Sequence, residues 1–149
     1  MKDRFTHGFV SGIVAGLVPF AFNYGTRALE FNTVVWADFM GLFILGRRPD
    51  APLEWAFLIG VQFGFLGILG SIFALIIPVI SSKRILFKGA VFGAAVWFIF
   101  FSLPSLLQVG TLEAVPLKTA VSNLVGSMLW GIALAFILGW IDSKVSQKS

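Results

Sequence analysis

Few side chains in this sequence could do chemistry, and they lie inside or beside apolar stretches: Asn23, Arg27, Asp38, Gln62 and Asn123. Polar groups within a membrane are costly and tend to be either paired or functional. Asp38 is the sharpest of them, alone in a run from Thr33 to Gly46 that is otherwise free of charge until its end. Such a carboxylate suits a proton or cation, an arginine partner, or the wetted face of an interfacial helix. Gln62 and Asn123 have two readings. They bond one another across helices as polar glue worth about 1 kcal/mol. Alternatively they turn inward with Asn23, Ser102, Gln108 and Ser122, forming an outward-open pocket for a small molecule or ion with Arg27, Glu30 and Asp38 at its mouth.

Catalytic chemistry has less to stand on. Cysteine is absent, and His7 is the single histidine. No nucleophile has a base at recognisable spacing, and no glycine-rich phosphate loop is present. The sequence therefore predicts no enzyme, no metal and no cofactor.

The elements that must position these residues are apolar helices. The chain has 149 residues, 58% hydrophobic and 12% charged, where a soluble domain carries about 25% charged residues. Trp55 to Ile80 contains one amide and no charge. As a helix it reaches roughly 39 Å, more than the ~30 Å of a bilayer's hydrocarbon core. Spans are expected at about 8–24, 55–80, 89–107 and 119–141, in a single all-α membrane domain covering 1–149. The first begins like a signal peptide, but no cleavage motif follows, so it reads as an uncleaved helix bent near Pro19. Thr33–Gly46 is too short to span at roughly 21 Å, and reads as an interfacial or re-entrant segment. Arg47-Arg48-Pro49-Asp50-Ala51-Pro52 is a breaker, and Gln108–Lys118 is a loop.

Small residues recur at helical spacing: Gly8, Gly12 and Gly16; then Gly60, Gly64, Gly67, Ser71 and Ala74; then Gly89 and Gly93; then Asn123, Ser127, Gly131, Ala135 and Gly139. Faces without bulk let helix backbones approach, which is how packing energy is gained in lipid. These ladders predict tight internal packing, with any spare face open to a second copy or a membrane partner.

The net charge of +4 does not imply nucleic acid, because the basic residues flank apolar spans. Lys2, Arg4, Lys83, Arg84, Lys88, Lys144 and Lys148 fall on one side, against Arg27, Arg47, Arg48 and Lys118 on the other. The positive-inside rule then places both termini in the cytoplasm.

The third span, Gly89-x-x-Phe92-Gly93-x-x-x-Trp97-x-x-x-Phe101-x-x-Pro104, resembles the corresponding span of the YqhR-type conserved membrane proteins of spore-forming bacteria. Gly8-Phe9-x-x-Gly12, and Gly131 and Gly139 in the last span, are similar in placement. The chain departs from that pattern in a shorter N-terminal tail and a longer, more charged first loop. The resemblance implies a four-span protein of the bacterial inner membrane and carries over no functional residue. The function expected is that of an accessory, scaffold or assembly protein. The alternative is a binding or transport component using the outer polar pocket.

Overall fold

The computed structural model describes residues 3–80, 83–106 and 115–146. Among the described residues the chain forms six helices: α1 (Arg4–Ala15), α2 (Leu17–Ala28), α3 (Trp36–Leu45), α4 (Pro52–Ile80), α5 (Ile85–Leu106) and α6 (Leu117–Ser146). Four helices are long and apolar enough to cross a membrane: Arg4–Ala28, taking α1 and α2 together, α4, α5 and α6. They extend a few residues beyond the expected spans at most ends. The expected loop falls largely on residues 107–114, outside the described residues.

Local chemistry sets the ends. The Asp3 carboxylate caps α1, accepting from the Thr6 N–H and hydroxyl. Those bonds hold its carboxyl below the usual carboxylate range. The bend expected at Pro19 is a one-residue break at Gly16. Proline has no N–H, so the Ala15 carbonyl loses its helical donor, and the Gly16 N–H tightens onto Gly12 and Ile13. α2 ends in a Schellman-type turn, with the Phe31 N–H on the Thr26 carbonyl and the Glu30 N–H on that of Arg27. Glu30 takes the left-handed conformation there, φ 57°. It is therefore outside the helix, and Arg27 pairs with Asp38 rather than Glu30. α3 ends on Gly46 at φ 68°, the left-handed position that glycine fills without strain. Arg47 then grips Glu54 with both guanidinium nitrogens, at 2.6 and 3.1 Å, and Asp50 at 2.9 Å, bracing the Pro49–Pro52 turn.

Two helix pairs are closed by glycine. α1 lies on α4, and an added Cβ at Gly70 would stand 2.8 Å from the Gly12 Cα. One at Gly8 would stand 2.7 Å from the Ser71 Cα. Ser71 adds a hydrogen bond from its hydroxyl to the Phe5 carbonyl at 2.9 Å. α5 lies on α6, where Gly89 and Gly93 meet the backbone of Gly131 and Ser127. The two pairs join through α1 and α2 against α6. At that crossing Trp130, 1% exposed, donates its indole N–H to the Gly12 carbonyl at 3.2 Å. α4 and α5 meet instead through rings: Phe73 with Phe92, and Phe65 with Phe100. α3 packs on α4 and sets Trp36 and Phe43 against Phe100.

The α4 ladder needs correction. Gly67, Ser71 and Ala74 face α1, joined by Gly70, but nothing lies within 4 Å of an added Cβ at Gly60 or Gly64. The reason is the break at Gly16. Beyond it the chain packs on α6, leaving this face of α4 without a helix. On α4, Gly16 itself meets the side chains of Leu66 and Phe63 rather than the backbone. Gly139, on the last ladder, is also open.

These differences make a paired test. Gly131→Ala forces a methyl into the Gly89 carbonyl and is expected to cost about 1–3 kcal/mol. Gly60→Ala is expected to be neutral or stabilising by up to about 1 kcal/mol. Thermal unfolding in detergent reads both.

Candidate functional site

One end of the bundle gathers the start of α1, the start of α5 and the end of α6. There the His7 Nδ1 meets the Asp142 carboxylate at 3.2 Å. The opposite end carries the segment linking α2 to α3, and most of the candidate polar residues collect around it.

The segment from Asn32 to Val35 is irregular. Its Asn32 N–H reaches back to the Thr26 carbonyl and its Val35 carbonyl takes the first N–H groups of α3, and side chains supply partners for groups in between. The Asp38 carboxylate accepts from the Val35 N–H at 2.9 Å, as an acidic residue in a helix's first turn commonly does. The same oxygen takes the Arg27 guanidinium at 3.4 Å. The Asn32 side-chain oxygen accepts from the Val34 N–H at 3.2 Å. Thr119 accepts from the Thr33 N–H at 3.2 Å, and the two hydroxyls meet at 3.1 Å. The Asn123 amide donates to the Val34 carbonyl at 3.1 Å. On α2, the Thr26 hydroxyl donates to the Asn23 carbonyl and receives the Ser122 hydroxyl. Arg27 also lies over the Trp55 ring, 5.3 Å from its centroid.

Arg27, Asp38 and Asn123 thus converge on one seam. It is a fastening of the α2–α3 connector against α6. Asn23 adjoins this seam, its amide packed beside Gly126 on α6. Neither side-chain amide atom of Asn23 makes a hydrogen bond among the described residues, nor do the Tyr24 hydroxyl, the Asn32 side-chain nitrogen or the Asn123 side-chain oxygen. Burial without a partner costs about 1–3 kcal/mol per group, and buried polar groups of this kind are commonly met by water.

Gln62 stands apart. The expected bond to Asn123 is not formed: the Asn123 amide is on Val34, and the Gln62 side-chain oxygen is buried without a partner among the described residues. Gln62 lines a separate cavity of about 20 Å³ with Pro19, Trp36, Met40, Ser127 and Trp130. That is room for about one water. None of Asn23, Arg27, Asp38 or Asn123 lines it. Gln62 turns inward and the others face the connector, so one pocket at one depth is replaced by a seam and a small cavity. Gln108 lies outside the described residues.

Sequence reasoning missed Asn32 and Thr119. The available signal for Thr119 was its spacing: residues 119, 122, 123 and 126 fall on one face of α6. Asn32 gave only a weak one, a short polar residue ahead of a helix start. Among the described residues, no group of three or more acidic or histidine side chains could hold a metal ion.

An all-helical chain with four helices able to cross a membrane is characteristic of a multi-pass membrane protein. Compared with protein-family models, with curated proteins and with solved structures, it finds no match.

Asp38→Ala leaves the buried Val35 N–H without an acceptor and is expected to cost about 1–3 kcal/mol. Arg27 is partly exposed, so a double-mutant cycle between Arg27→Ala and Asp38→Ala is expected to give a coupling below about 1 kcal/mol. Thermal unfolding reads the four proteins. Limited proteolysis is expected to cut the Asp38→Ala connector faster than the wild type.

Proposed function

We propose that this chain is a non-enzymatic accessory or assembly protein of a bacterial cell membrane, related to the YqhR-type family and acting by packing against itself or a membrane partner. In this reading both termini face the cytoplasm and α3 lies at the outer interface. One observation carries the packing role. Most glycines on the α1, α4, α5 and α6 ladders meet a neighbouring helix within this chain, but Gly60 and Gly64 meet none. They share a face of α4 with Phe57 and Ile68, both at least half exposed. A smooth groove between two apolar knobs is the shape that admits another transmembrane helix.

The polar residues also favour this reading over transport. Arg27, Asp38 and Asn123 are engaged in holding the connector, and the Gln62 cavity has room for about one water.

The test pairs Gly60→Leu and Gly64→Leu in one variant. The wild type is expected to run as an oligomer, or with a co-purifying membrane protein, in mild detergent. The variant is expected to run as a monomer with an unchanged unfolding temperature. A monomeric, partner-free wild type, or a variant that assembles as before, defeats the proposal.

A further inference from the structure

Gln62 is 5% exposed, and its side-chain oxygen has no partner among the described residues. The cavity it lines, of about 20 Å³, is walled mostly by apolar and aromatic side chains. Ser127 of α6, also buried, adds a hydroxyl to the wall. Pro19 forms another part of it. In helical geometry the carbonyl four residues back, that of Ala15, points towards the proline nitrogen and finds no donor there. The Trp130 indole, on the same wall, is already committed to the Gly12 carbonyl.

The lining therefore holds an acceptor from α4 and a hydroxyl from α6, beside a freed carbonyl of α1. An apolar occupant answers none of them. A monovalent cation would exchange its hydration shell for a few neutral oxygens, in a lining that has no carboxylate. A water fits the volume and needs roughly two to four polar partners. Ordered water is also one of the groups that satisfy carbonyls freed by proline within a span. We propose that this cavity is a binding site for one water molecule, which donates to the Gln62 oxygen and the Ala15 carbonyl and accepts from the Ser127 hydroxyl. The water joins α1, α4 and α6 where Pro19 breaks the first span. The inference is independent of any assembly through α4.

Two measurements on the full-length protein in mild detergent test this. The first needs no variant: in the NMR spectrum, the Gln62 side-chain amide protons are expected to show a nuclear Overhauser cross-peak to a long-lived water. Its absence overturns the proposal. The second is thermal unfolding of Gln62→Met, Ser127→Ala and the double variant. Gln62→Met keeps the side chain's length and removes the acceptor, so with a bound water it is expected to lower the unfolding temperature by about 2–4 °C. If the oxygen is instead dry, the same change removes an unpartnered buried group and raises that temperature. The Gln62 oxygen makes no direct bond to Ser127, yet both variants lose the same water. The double variant is therefore expected to fall no further than the lower of the two single ones. A rise in Gln62→Met, or two falls that simply add, overturns the proposal. So does a saturable rise in the wild type, absent from Gln62→Met, when sodium or potassium chloride replaces choline chloride; that result makes the cavity a cation site.

Discussion

Hydrocarbon tails solvate an apolar helix about as well as another helix does, so association within a bilayer depends on surfaces that fit. In this chain the fit is made by removing side chains. Gly8, Gly12 and Gly70 bring α1 onto α4, and Gly89, Gly93 and Gly131 bring α5 onto α6. The other features follow from those two closures. The Trp130 indole reaches the Gly12 carbonyl because α1 and α6 cross beside the first of them. α4 and α5 are left to meet through rings, with Phe65 and Phe73 reaching Phe100 and Phe92. The cavity beside Gln62 also lies among these loosely meeting elements, lined by Phe65 of α4 and Val96 of α5.

The two ends of the bundle use polarity differently. At the connector end, the irregular Asn32–Val35 segment needs partners for its backbone. Asp38, Thr119, Asn32 and Asn123 provide several of them. At the other end the charges surround open space. Arg4, Lys83 and Asp142 line a recess there, with Asp142 paired to His7. Polar groups that look alike in a linear chain thus divide into those that fasten an irregular backbone and those that gather at the helix ends.

Much of the architecture was legible. Length and hydropathy are enough to mark four long helices and to exclude Thr33–Gly46 from spanning, because the bilayer's thickness is a fixed ruler. Most of the glycine ladders also pointed to the right faces. Gly60 and Gly64 did not, since periodicity identifies a face but says nothing about whether a partner covers it; that depended on Pro19 breaking the first span and sending α2 to α6. The polar residues were legible as a set but not as a geometry. Asp38 and Arg27 do pair and Asn123 reaches the same connector at Val34, while Gln62 turns into a cavity lined by Trp36 and Trp130. Their depth along each helix could be counted from the sequence, but their rotation about it could not. Asn32 and Thr119 escaped notice because their partners are backbone groups of a non-helical stretch, which no side-chain pattern advertises.

The two glycine closures also differ in how far apart their halves lie along the chain. α5 and α6 are consecutive, so their seam can form as a local hairpin once both are in the bilayer. α1 instead closes on α4, with α2, α3 and the Arg47–Glu54 turn between them. In a chain made from its N-terminus, the Gly8–Gly12 groove therefore precedes its partner at Gly70 by all of α2, α3 and more than half of α4. The α1–α4 seam is thus the long-range closure of the fold and the α5–α6 seam the local one, which loop-closure entropy makes the quicker to form.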